Sequence, residues 1–239
     1  GGGGYKVATE LLGTYVGLVS GAALLVDYVL TIVTSIASGV DALFSTLPVT
    51  AQHYKLATEV ILVLLLILLN MRGMKESIKI LLPIFIGFVI SHFCLIVYGV
   101  AAHGSDLPPL LSGTLNETKT MAQQWGWFAV LALTLKAYSL GGGTYTGLEA
   151  VSNNVNTLSE PRVKTAKLTM FLVALSLAFM AAGIIFLYLL WDVSKINGQT
   201  LNATTFYTLT ESWMVGDFAV GSFIVPIVLL LEAGLLLVA

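Results

Sequence analysis

Residues 21–39 read GAALLVDYVLTIVTSIASG, an apolar run crossed at intervals by polar side chains. A membrane-spanning helix needs about 20 mostly apolar residues. A carboxylate inside one costs about 2.5–3.5 kcal/mol on the insertion scale, so it marks a pathway or a site unless something else explains it. Asp27 stands well inside this run. At about 100° per residue, Ser20, Asp27, Thr31, Thr34, Ser35 and Ser38 share one side of the helix with Tyr28 on its edge. The remaining face is Leu, Val and Ile. A polar stripe opposite an apolar face is what a helix lining a hydrated cavity presents. Hydroxyls alone could serve as glue between helices, but that reading leaves Asp27 unexplained.

The rest of the chain has the same character. Of 239 residues, 57% are hydrophobic and 10% charged, with mean hydropathy +0.92. A soluble domain carries about 25% charged residues, so much of this surface must face lipid. Spans are expected at about 17–40, 56–71, 80–102, 127–152, 168–191 and 216–239, forming one transmembrane domain over 1–239. The runs are continuous and far longer than the ~10-residue alternating strands of a barrel, which makes them helices. The chain begins at Gly1 without a signal-peptide pattern and stops inside the apolar run 225–239, so a piece of a longer protein is expected.

Orientation follows from the basic residues of the short loops. Lys6, Arg72, Lys75, Lys79, Arg162, Lys164 and Lys167 fall on one side, and Lys55, Lys119 and Lys195 on the other. Loops 72–79 and 153–167 are therefore expected in the cytoplasm. The outer side holds Asp106, Glu117, Asp192 and Glu211, and Trp125, Trp127 and Trp191 suit interface depth. Asn116-Glu-Thr118 and Asn202-Ala-Thr204 on that side match the glycosylation pattern, a weak signal on its own.

A second departure from a plain span is Gly141-Gly142-Gly143-Thr144-Tyr145-Thr146-Gly147. Each glycine costs a helix about 1 kcal/mol against alanine, so the fourth span is expected to break near 141–147. Breaks are tolerated where bared backbone is buried or lines a cavity, and transporters use them to hold substrate or ions at the midplane. Close helix packing also uses glycine, though more often every fourth residue. Glu149 follows the break. It fits either as a cap on the new helix start or as a proton carrier held in low dielectric. Lys136, Glu59, His92 and Glu232 are further ionisable groups within spans, each free to pair or to snorkel.

These motifs together resemble the amino acid–polyamine–organocation superfamily. GGGGYKVATELLG (1–13) is similar to the cytoplasmic segment before its third helix, and LLVDYVLTIVTSIASG (24–39) to that helix. NMRGMKES (70–77) resembles the loop between its fourth and fifth helices. GGGTYTGLEAVSN (141–153) with SEPRVKTAK (159–167) resembles its unwound sixth helix and the following loop. The resemblance implies an all-α polytopic bundle of two inverted five-helix repeats (5+5), here lacking the first and last helices. Half the usual substrate site, and part of any sodium site, would then lie outside this chain.

Most members carry amino acids or related amines, coupled to protons or sodium. The resemblance thus implies a secondary active transporter of amino acid permease type, moving a small cargo by alternating access with a cation, the proton foremost. An alternative comes from the superfamily's proton-coupled potassium importers (the KUP-related branch), whose pattern Asp27, Tyr28, Thr31, Ser35, Thr146 and Glu149 resemble. Carried over, Asp27, Tyr28, Thr31, Ser35 and Thr146 supply oxygens to the cation and Glu149 takes the proton. The same oxygens suit an ammonium group, and the backbone of Gly141, Gly142, Gly143 and Thr144 could hold a carboxylate.

Other classes fit less well. A channel is a second alternative, although no filter motif repeats. An intramembrane aspartyl protease would need a partner for Asp27, and Asp41, Asp192 and Asp217 lie near span ends. A metalloenzyme would need clustered histidines, whereas His53, His92 and His103 are scattered. A purely structural membrane subunit would need neither Asp27 nor the glycine break. Cys94 is alone, so there is no intramolecular disulfide. No enzyme activity, cofactor or metal is expected. The net charge of −2 speaks against nucleic acid. The expected partners are the lipid bilayer, the cargo, protons or sodium, and a second copy in a homodimer. The expected place is a bacterial inner (plasma) membrane.

Overall fold

The computed structural model describes residues 3–71, 77–153 and 155–238; the side chains at 69, 70, 77–81, 144–146, 157 and 238 lie outside that description. Arg72 and Lys75 of the orientation argument fall among the undescribed residues, as does the side chain of Lys79.

Ten α-helices follow one another among the described residues. They are α1 (Gly3–Leu12), α2 (Thr14–Phe44), α3 (Lys55–Met71), α4 (Ser77–Ala102), α5 (Leu107–Trp125), α6 (Trp127–Leu140), α7 (Thr146–Asn153), α8 (Arg162–Leu190), α9 (Leu201–Thr210) and α10 (Gly221–Val238). Four stretches are long and apolar enough to cross a membrane: Thr14–Phe44, Val49–Leu68, Leu82–Ala102 and Arg162–Leu190. Trp127–Leu140 and Gly221–Leu237 are shorter apolar helices. The protein is thus an all-α, polytopic membrane chain. Its large apolar side chains stand outward in numbers no soluble surface carries, among them Leu18, Val19, Leu25 and Val26 on α2 and Leu172 and Leu175 on α8.

The chain forms two compact units, Gly1–Thr31 with Pro108–Ala181, and Ile32–Leu107 with Ala182–Ala239. In the first, α1 is set off from α2 by Gly13, whose φ of +95° is open to glycine at little cost, and α1 packs on α7. Its α5 is a helix of 19 residues with none buried, in a stretch the sequence reading left among the outer loops. Pro108 and Pro109 open it, where a missing N–H costs nothing.

In the second unit α10 packs on α4 and on α9. Phe206 and Leu209 of α9, Leu187, and Val225 and Leu229 of α10 are fully buried. Close approach is needed at Gly99, where a Cβ would overlap Leu187 and come within 2.9 Å of Leu209. Trp191 donates its indole N–H to the Gly99 carbonyl at 3.1 Å. Ile36, Val40 and Phe44 form a further cluster with Leu62, Val63 and Leu66 of α3.

The burial of α9 is unexpected for LNATTFYTLT, a threonine-rich sequence. Its hydroxyls solve the problem locally. Thr204, Thr205, Thr208 and Thr210 each donate to the carbonyl four residues back, at 2.7–3.2 Å. The polar atoms are then satisfied inside the helix and the methyl groups can pack. Thr200 caps its start by accepting from the Ala203 N–H at 3.1 Å. A short hairpin, β1 (Met214–Val215) with β2 (Phe218–Ala219), follows. It turns on Gly216 at φ +62°, the type II′ position that glycine favours.

Candidate functional site

Asp27, Tyr28 and Thr31 lie in the first unit, on the same side as the glycine-rich stretch, and Ser35 lies in the second. Asp27 is exposed; Tyr28, Thr31 and Ser35 are half-buried. All four sit on α2, which runs unbroken for 31 residues because its interior holds no proline and its glycines do not exceed what a helix tolerates.

α6 ends at Leu140, and Gly141 closes it with an N–H bond to the Ala137 carbonyl at 3.1 Å. A 3₁₀ turn over Gly142–Tyr145 follows, and α7 starts at Thr146. A 3₁₀ stretch between two α-helical segments often marks a functional hinge. Space around the glycines distinguishes the two readings of the triplet. A Cβ at Gly142 or Gly143 would meet nothing within 4 Å, and one at Gly141 would meet only helix carbonyls at 3.5 and 3.7 Å. None of the three has a positive φ. Neither packing nor backbone strain demands them here. What they leave is backbone uncovered by side chains, as needed where a ligand approaches the main chain.

Glu149 is exposed and lies in the first turn of α7, where the positive end of the helix dipole meets its charge. Among the described residues no hydrogen bond or ion pair joins it to Asp27. The side chains of Thr144 and Thr146 lie outside the described residues, so their part rests on sequence alone.

Sequence reasoning missed Asn153. Its Nδ2 donates to the Tyr28 hydroxyl at 2.7 Å, fastening the end of α7 to the polar edge of α2. Its Oδ1 is buried with no hydrogen-bond partner among the described residues, against Gly3 at the start of α1. The signal was present: Asn153 stands four residues after Glu149 and so shares its face of the helix.

The remaining intramembrane ionisable groups separate. Lys136 is exposed, and Glu59 lies half-buried in an apolar groove with Val33, Ile36 and Val60. His92 is fully buried, facing Glu232 of α10. Asn202 is engaged with Tyr188 and Glu232. Among the described residues no three His, Cys, Asp or Glu side chains gather as a metal site.

The chain as a whole is similar to known proteins. The family model described as amino acid permease matches residues 1–238. Over 223 residues, 88% of this chain, the sequence is 34% identical to the potassium transporter KimA of Bacillus subtilis (strain 168). The match covers 35% of that relative, so the chain spans about a third of its length.

Proposed function

Because this chain belongs to the amino acid permease family, we propose that it forms the middle of a proton-coupled secondary transporter for a monovalent cation, with potassium as the cargo. The observation that carries this is the 3₁₀ turn over Gly142–Tyr145, which opens on two glycines and whose following helix is bonded through Asn153 to Tyr28, next to Asp27. A desolvated monovalent cation needs oxygens to replace its hydration shell. Asp27, Tyr28, Thr31, Ser35 and Thr146 offer carboxylate and hydroxyl oxygens. The C-terminal, negative end of α6 at Gly141–Gly143 adds a favourable field. Similarity to a protein described as a potassium transporter favours this cargo.

An amino acid is the second reading, favoured by the family's description. Asp27 would then meet the ammonium group, and the backbone of Gly141, Gly142, Gly143 and Thr144 the carboxylate. In both readings Glu149 carries the coupling proton and the cargo moves by alternating access within two inverted five-helix repeats. The membrane is a bacterial inner membrane, with loops 72–79 and 153–167 in the cytoplasm and both compact units in one transport domain.

The test is uptake by the full-length protein in proteoliposomes under an imposed proton gradient, comparing radioactive rubidium with labelled amino acids. Rubidium accumulation alone supports the first reading, and amino acid accumulation alone replaces it with the second. Asp27→Asn should abolish cargo binding in a folded protein; unchanged uptake overturns its role. Glu149→Gln should spare exchange and abolish proton-driven accumulation. Accumulation that survives this change moves the proton carrier elsewhere.

A further inference from the structure

The second unit holds a buried polar chain that the proposed cargo site does not use. His92 on α4 is fully buried, and the Glu232 side chain on α10 is 13% exposed. The His92 Nδ1 lies 3.0 Å from the Phe88 carbonyl oxygen. A carbonyl can only accept, so Nδ1 carries the hydrogen and Nε2 is left to face Glu232. The distance from Nε2 to Glu232 Oε2 is 3.9 Å, and neither atom has a hydrogen-bond partner among the described residues. The other carboxyl oxygen, Oε1, accepts from Asn202 Nδ2 at 2.8 Å. Asn202 Oδ1 in turn accepts from the Tyr188 hydroxyl. The amide of Asn202 is thereby held at both ends, with its N–H directed at Glu232.

A buried carboxylate and a bare imidazole nitrogen facing each other are both costly. One proton between them satisfies both atoms at once, whether held as Oε2–H donating to Nε2 or as Nε2–H⁺ donating to the carboxylate. We infer that His92 and Glu232 form a one-proton binding site, separate from Glu149, that the transporter loads and empties during its cycle. This inference rests on the transport reading for its role in the cycle, but not for the binding of the proton.

The surroundings fit a site for a proton. Phe88 and Phe206 flank the imidazole, with ring centroids 4.0 and 5.3 Å away, and give it an apolar setting. α9 brings Asn202, Thr205 and Phe206 to this region and contains no charged residue; its Tyr207 is the titratable group on that helix. Glu232 is the charged residue of α10. From α8 the group that reaches the chain is Tyr188, through Asn202. Among the described residues no fixed cation is bonded to Glu232, and the proton is what balances it.

The site also has a mechanical side. A hydrogen bond between these atoms needs about 2.8 Å, so proton uptake draws the Glu232 carboxyl and the His92 ring together by about 1 Å. Asn202 links that movement to the outer helix α9. Proton occupancy thus sets how tightly α9 is held at the outer face.

The test uses the full-length protein in liposomes. Infrared difference spectra across a pH titration should show a buried carboxylic-acid band that disappears in Glu232→Gln. Nitrogen-15 spectra of histidine-labelled protein should show His92 with hydrogen on Nδ1 and an Nε2 signal that shifts in step with that band. Glu232→Gln imitates the loaded carboxyl, since its amide can donate to Nε2 and its oxygen can accept from Asn202. It should therefore fold, and should flatten the pH profile of uptake where the wild type varies. His92→Gln, which keeps a polar partner for Glu232, is the second variant and should change the frequency and the pH dependence of the carboxylic-acid band. A carboxylic-acid band unchanged in both variants, or a wild-type His92 Nε2 signal that does not shift with that band, overturns the proton site. A pH profile unchanged in both overturns its role in the cycle. If the protein moves no cargo at all, the transport reading fails while the spectra still decide whether the proton binds.

Discussion

Replacing Gly142 and Gly143 together by alanine separates two uses of glycine that a sequence cannot tell apart. A Cβ at either position meets nothing within 4 Å, and neither residue has a positive φ. The folded state can therefore accept both methyl groups without strain. Alanine narrows the unfolded ensemble, which stabilises by about 0.4–1 kcal/mol per site, so about 1–2 kcal/mol for the pair. If the bare backbone holds the cargo, the same methyl groups intrude on one contact. Losing a contact of about 1.5 kcal/mol weakens affinity about tenfold. The expected result is a protein that is no less stable and binds its cargo about tenfold more weakly. Thermal unfolding followed by tryptophan fluorescence, with cargo affinity measured on the same preparation, reads both quantities. Destabilisation by more than about 1 kcal/mol would mean that the glycines serve packing. Unchanged affinity would mean that the backbone of this turn does not touch cargo.

Four further substitutions, taken in two pairs, probe the frame. Tyr28→Phe and Asn153→Ala each break the 2.7 Å hydrogen bond between α2 and α7, and a double-mutant cycle on unfolding should give a coupling near 1 kcal/mol; strict additivity would show that the bond contributes nothing. Gly99→Ala puts a methyl group onto Leu187 and Leu209 and should cost about 1–3 kcal/mol as overpacking, whereas Gly113→Ala, inside α5 with nothing within 4 Å, should raise stability by about 0.4–1 kcal/mol.

Hydropathy made the long helices legible, because lipid-facing surface leaves a run of apolar residues that no other environment requires. The interruption at Gly141–Gly143 was legible for a related reason: three glycines are costly in a helix, so the chain stops one there. α9 was not legible. Threonine reads as polar, and only the hydrogen bonds to carbonyls four residues back turn its face into a packable one. The pairing of His92 with Glu232 was hidden too, since 140 positions separate them in the chain and nothing local announces a partner. Asn153 lay between these extremes. Its spacing from Glu149 was visible, but its bond to Tyr28 depends on how α7 is placed after the turn.

The length of α2 has a consequence for the membrane that holds it. Thirty-one residues at 1.5 Å each make a rod of about 46 Å, while the hydrocarbon layer is about 30 Å thick. At a tilt of about 20°, usual for such helices, about 13 Å of the rod still stands outside the hydrocarbon. The end at Asp41, paired with Lys55, suits the headgroup layer on one side, and the stretch from Thr14 suits it on the other. A thicker bilayer would draw these turns inward and a thinner one would tip the rod further over. Asp27 would change depth in either case, so the thickness of the host lipid becomes a variable acting directly on the proposed cargo site.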